Sequence, residues 1–166
     1  MAGLALAGLL ACEREVAEVL MTPPSLEGPL SEGRWERRSR DGLTFWPPNP
    51  RESRLPEMID FSCGQMGGRL RLTVTGKMDD TGLWIAGEDR TARTLILATE
   101  NGVSSFELYA GKRLLPAVEL PADHKALEPL RSPGGTFAIN AFGSETYRLE
   151  IVPEIGEVIE RCRRGR

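Results

Sequence analysis

The chain has 166 residues, 40% of them hydrophobic, with 21 basic against 24 acidic side chains and a net charge of -3. That length suits one domain with one core. The acidic balance argues against nucleic acid as a general partner, because phosphate contacts need a basic field. No apolar run reaches the roughly 18 residues that a membrane-spanning helix requires.

The first element is the run AGLALAGLLAC, Ala2 to Cys12, closed by Glu13 and Arg14. About ten apolar residues match the h-region of an export signal better than a span. Within it, Leu9-Leu10-Ala11-Cys12 resembles the lipobox of bacterial lipoprotein precursors. The resemblance implies a signal peptide over 1–11, cleavage before Cys12, lipid on the Cys12 thiol and a membrane-anchored periplasmic location. No Lys or Arg precedes Arg14, although an export signal normally opens with one. An ordinary helix over Ala2 to Leu20, rich in Ala, Leu and Glu, therefore stays open as the alternative.

Residues 12–34 are expected to carry the lipid and serve as a flexible tether. Their second half, TPPSLEGPLSEG, is rich in Pro, Gly, Ser and Glu and has no sustained period. A loop laid over the domain surface is the other reading of this segment. A single β-rich domain is expected over 35–166.

That domain opens with RWERRSRDGLTFWPP, where Asp41-Gly42 is expected as the centre of a two-residue hairpin turn. This register would place Arg37 opposite Trp46 as a cation–π pair. Trp35, Arg37 and Trp46 are the candidate binding surface. Pro47 to Pro50 interrupts any ladder, since proline has no N–H to donate.

Alternation puts Ile59, Phe61 and Cys63 on one face of a strand, and Leu70, Leu72 and Val74 on one face of the next, with a turn over Gly64 to Gly68. Asn101-Gly102 is expected as the centre of a second hairpin, with Leu97 opposite Phe106 and Leu95 opposite Leu108. A third strand, ending in PAVEL, should follow it at a sheet edge, because Pro116 interrupts the ladder there. ADHKALEPL reads as a short helix with Asp123 as N-cap. In TFAINAFGSETYRLEI, a three-residue loop, Gly143 to Glu145, would pair Phe137, Ile139 and Ala141 with Ile151, Leu149 and Tyr147, all apolar.

The chain closes on VPEIGEVIERCRRGR. Pro153 suits a first helical position, and Ile155, Val158, Ile159 and Cys162 form one stripe at i, i+3, i+4 and i+7. The fold expected is thus mainly β (α+β): an antiparallel, meander or sandwich-like sheet with a C-terminal amphipathic helix packed on it.

Three cysteines are awkward in an oxidising compartment, where an odd thiol is left over. Lipid on Cys12 would leave Cys63 and Cys162, each on the buried side of its own element, to form a disulfide. Two reduced cysteines in a cytosolic core are the alternative. The order also resembles small uncharacterised envelope domains of Gram-negative bacteria, in which an early cysteine and a helical C-terminal cysteine bracket a β-rich core. That resemblance spans Cys63 to Cys162 and implies no activity.

No catalytic pattern emerges. The one histidine, His124, lies in neither a G-x-S-x-G nor an H-E-x-x-H context, and no C-x-x-C is present. Asp79 to Gly82 (DDTG) reads as an acidic turn, and GQMGG and SPGG as glycine turns rather than phosphate loops. No cofactor and no metal are expected. The arginines cluster twice, at Arg34, Arg37, Arg38 and Arg40 and at Arg161, Arg163, Arg164 and Arg166. Solvated faces explain both clusters, and contact with anionic lipid or an acidic partner is the alternative. The function expected is a lipid-anchored periplasmic protein that binds another envelope protein without catalysis. An exported hydrolase and a cytosolic β-domain are the competing classes.

Overall fold

The computed structural model describes residues 23–48, 58–75, 94–108, 117–141 and 146–165. The readings made of the N-terminal apolar run, Cys12, Asp79 to Gly82, Pro116 and Gly143 to Glu145 lie outside the described residues. Among the described residues there are nine strands, two 3₁₀ turns and one α-helix. The strands form two antiparallel sheets. The first runs β1 (Arg34–Ser39), β2 (Gly42–Trp46), β3 (Met58–Cys63), β4 (Arg69–Thr75) and, at its far edge, β7 (Ala117–Pro121). The second has the order β6 (Gly102–Glu107), β5 (Thr94–Thr99), β8 (Thr136–Ala141), β9 (Tyr147–Glu150).

Alternation accounts for the core. Leu43 and Phe45 of β2, Ile59 and Phe61 of β3, Leu70, Leu72 and Val74 of β4, and Val118 and Leu120 of β7 share the inner face of the first sheet. Leu95, Leu97, Phe137, Ile139, Tyr147 and Leu149 answer from the second, and one cluster joins both. Phe61 meets Phe137 edge-on, with centroids 6.1 Å apart, and Phe45 meets Tyr147 at 6.5 Å.

The α-helix, α1 (Pro153–Arg164), begins at Pro153, whose missing N–H costs nothing in the first turn. Its stripe of Ile155, Val158, Ile159 and Cys162 is buried, against β2, β3 and β4. Gly156 also faces inward. A Cβ there would lie 2.7 Å from the carbonyl oxygen of Arg131, so the helix approaches the second 3₁₀ turn as closely as glycine allows. Cys162 is bonded to Cys63, with Cα atoms 5.0 Å apart and a sequence separation of 99.

The expected faces are present, but several expected pairings are not. The first hairpin turns on Arg40-Asp41, with Arg37 opposite Leu43 and an irregularity between Arg37 and Ser39. Trp35 thereby comes opposite Phe45, with the rings 5.3 Å apart, on the core side. A turn on Asp41-Gly42 would have put Arg38 there instead, so burial of the indole selects the register. The guanidinium over Trp46 is consequently that of Arg38, at 5.7 Å, and not that of Arg37.

The second hairpin turns on Glu100-Asn101. Leu95 faces Phe106, Leu97 faces Ser104, and Gly102, at φ 126°, follows the turn instead of occupying it. In the third, Phe137 pairs with Leu149 and Ile139 with Tyr147, two residues away from the expected register. Ile151 bonds to Gly135 instead: its amide donates to the Gly135 carbonyl at 2.8 Å.

The PAVEL segment does not extend the second hairpin. It crosses to the other sheet and pairs with β4, Leu72 opposite Val118, as an edge strand. The expected short helix is two 3₁₀ turns, Lys125–Leu127 and Pro129–Arg131. The cap of the first is His124, not Asp123: its Nδ1 accepts from the Ala126 amide at 3.2 Å. Pro129 has no N–H to continue an α-helical ladder.

Of the segment read as a tether, the described part lies along β9. The Ser31 amide donates to the Arg148 carbonyl at 2.7 Å, and the Ser31 hydroxyl accepts from the Arg148 amide at 2.9 Å. The Arg148 guanidinium donates to the carbonyls of Ser25 and Pro29. A segment too poor in apolar residues to make a core is laid against the domain by Arg148, the Ser31 hydroxyl and the buried Pro24.

Candidate binding cleft

The three residues expected to form one binding surface are not brought together. Trp35 packs on Phe45 and Phe61 at the core, with its ring 6.0 Å from the Phe61 ring. Arg37 is spent on Glu157 of α1, with nitrogen and oxygen 2.5 Å apart. Trp46 pairs with Arg34, on the opposite face of the sheet from Trp35, beneath the Arg38 guanidinium. His124 is half-buried, caps a turn and rests its ring edge-on against Phe106 at 5.6 Å. With Nδ1 accepting and the ring tied to a turn, it holds structure. Among the described residues no group of His, Cys, Asp and Glu could hold a metal ion.

What the fold does bring together is Arg40 of the first arginine cluster and Arg161 and Arg164 of the second. The β1–β2 turn carries Arg40 and Asp41, and the last turns of α1 carry Arg161 and Arg164, about 120 residues later in the sequence. The disulfide explains the meeting, because it fixes the end of α1 against the end of β3 beside that turn. Two backbone bonds complete the junction. The Cys63 amide donates to the Asp41 carbonyl at 3.2 Å and the Gly68 amide to the Cys162 carbonyl at 3.1 Å, which also accepts the C-cap bond of α1 from Gly165 at 3.3 Å. Gly68 sits at φ 79°, which lets the β3–β4 turn aim its N–H at the helix end.

Two hollows flank this junction. One, of about 480 Å³, is lined by Arg40, Asp41, Arg161, Arg164 and Gly165. The other, of about 370 Å³, runs along the Gly64–Gly68 turn over the disulfide and shares Arg161 and Gly165 with the first. Met66, 69% exposed, stands on the turn that lines the second.

The charges are unevenly matched. Arg161 donates through Nη1 to the Arg40 carbonyl and lies 3.9 Å from the Asp41 carboxylate. Glu160 is shared by Arg131 and Arg163, each at 3.6 Å, and Glu157 is taken by Arg37. Arg40 and Arg164 have no carboxylate among the described ion pairs. Among the described residues the Arg164 side chain reaches the Glu160 carbonyl, at 3.4 Å through Nε. An excess of positive charge is thus concentrated in one concave place on a chain whose net charge is negative.

Spacing along the chain did not reveal this cleft. Each arginine run was visible in the sequence, but their convergence follows from the disulfide and from the register of β1 on β2.

Comparison with family models, with curated proteins and with solved structures returns no match for this chain.

Proposed function

We propose that this chain is an exported cell-envelope protein. Lipid on Cys12 holds it to a membrane on the periplasmic side, and its β-sandwich domain binds another envelope component without catalysis. The observation that supports this is the Cys63–Cys162 bond. Disulfides persist in oxidising compartments and are rare in the reducing cytosol. The bond also uses two of the three cysteines, which leaves Cys12, the residue at the end of the lipobox-like run, as the odd thiol. The contact face in this reading is the arginine cleft rather than the Trp35, Arg37 and Trp46 surface, whose side chains are committed to internal contacts.

Fractionation of expressing cells tests the proposal. The wild-type chain should sediment with membranes, and Cys12→Ala should abolish that association. Recovery of the wild-type chain in the soluble cytosol, with every thiol titratable, would contradict it.

A further inference from the structure

We infer that the cleft between the β1–β2 turn and the end of α1 is a site for a phosphate ester, held by Arg40 and Arg164 on the hollow they share with the fixed Arg161. The inference deepens the proposed binding role, and rests on the cleft being the contact face.

The ordinary explanation of arginines at a helix C-terminus is that they offset the macrodipole. That explanation does not account for the amount of charge. A helix end carries the equivalent of about half a negative elementary charge. Among the described residues the cleft is lined by three arginines, Arg40, Arg161 and Arg164, and one acid, Asp41. Asp41 is set against Arg161, and the nearby Glu157 and Glu160 are engaged by Arg37, Arg131 and Arg163. After the helix end and every described ion pair are counted, positive charge remains, on Arg40 and Arg164.

Shape narrows the ligand. A flat basic surface would suit diffuse attraction to any polyanion. Here the excess lines a hollow of about 480 Å³. Arg161 is held in place by the Arg40 carbonyl and by Asp41, and the helix end is pinned by the disulfide. A guanidinium presents parallel N–H donors that match two oxygens of a tetrahedral oxyanion. Two such forks lining the same hollow as a fixed third suit the several oxygens of a phosphate group better than a single carboxylate. Asp41 remains at the wall. It orients Arg161 and disfavours ligands that would need the whole cleft to be positive.

The phosphate could belong to a soluble ester or to a lipid headgroup, and the chemistry at the cleft is the same for both. The test is made on the full, oxidised chain in solution, so it neither uses nor depends on Cys12. Inorganic phosphate is titrated while the arginine Nε–Hε and backbone amide resonances are followed by NMR. Expected are saturable shifts at Arg40, Arg161, Arg164 and Gly165, with none at Val103 on β6. Arg40→Gln with Arg164→Gln should weaken binding by about tenfold or more, as expected when charge-assisted contacts are lost. Arg34→Gln with Arg38→Gln, which removes equal charge at exposed positions outside the cleft lining, should leave it unchanged. Arg40→Lys with Arg164→Lys should fall between, since the charge stays but the fork is lost. A parallel arm compares phosphatidylglycerol with phosphatidylcholine vesicles. Cleft-dependent binding to the anionic vesicles assigns a headgroup, and binding of phosphate alone assigns a soluble ester. Shifts that do not saturate, equal weakening by the two glutamine pairs, or vesicle binding that survives Arg40→Gln with Arg164→Gln would each overturn the site.

Discussion

Cys63, the last residue of β3, and Cys162, in the last turn of α1, lie 5.0 Å apart at Cα and are covalently joined across 99 residues of sequence. Together with the register of β1 on β2, this contact forms the arginine cleft. It sets the helix end beside the β1–β2 turn, where the Gly68 amide donates to the Cys162 carbonyl. Closing a loop of this length removes freedom from the unfolded chain worth about 4–5 kcal/mol in the entropic model. Reduction, or Cys63→Ala with Cys162→Ala, should therefore lower the melting temperature by roughly 10–20 °C at about 2–4 °C per kcal/mol for a chain of this size. Thermal unfolding with and without reductant checks this. A shift within a few degrees would mean that packing of α1 alone holds the helix.

Gly156 provides a test of how tightly α1 is seated. A Cβ at this position would stand 2.7 Å from the Arg131 carbonyl oxygen, which is backbone and cannot swing aside. Gly156→Ala improves helix propensity by up to about 1 kcal/mol. The clash costs about 1–3 kcal/mol, so net destabilisation is expected. Urea unfolding should show the midpoint falling.

Phe61 joins the two sheets. It is fully buried and packs between Trp35 and Phe137. Phe61→Ala should cost about 3–5 kcal/mol through lost transfer energy and the cavity left behind. Val103→Ala on the exposed edge of β6 should stay within about 0.5 kcal/mol. Chemical denaturation of both variants makes the comparison.

Arg148 should control the segment before β1 without controlling the domain. Its guanidinium binds the Ser25 and Pro29 carbonyls, and the segment adds the buried Pro24 and half-buried Leu26. Arg148→Ala is expected to raise amide exchange at Ser31 and to expose residues 23–33 to proteolysis, with global unfolding changed by less than about 2 kcal/mol. Hydrogen exchange resolved by residue distinguishes local release from global loss.

The faces of strands were legible in the sequence, and their pairings were not, for one physical reason. Alternation has a period of two, so it defines which side of a strand is apolar and is blind to a register offset by two. Both the β5–β6 and β8–β9 hairpins differ from expectation by that offset: Leu95 meets Phe106, and Phe137 meets Leu149, with the same residues inward. The β1–β2 pairing differs by an odd step. Seating Trp35 beside Phe45 requires an irregularity after Arg37 that no periodic pattern encodes. The helix was legible throughout, from Pro153 to the stripe ending at Cys162, because its period and its proline agree. The strand Ala117–Pro121 was legible as an edge strand but not as a member of the other sheet, since a strand's own residues do not say which neighbour it joins.

The central claim is that the cysteines are divided between one lipid and one disulfide. Intact-mass analysis of the chain purified from envelope membranes without reductant tests it most directly. The account predicts a mass lacking residues 1–11, increased by acyl groups on Cys12, decreased by the hydrogens lost to a single disulfide, and no thiol reactive before reduction. The mass of the unprocessed 166-residue chain with all three cysteines reactive would contradict it.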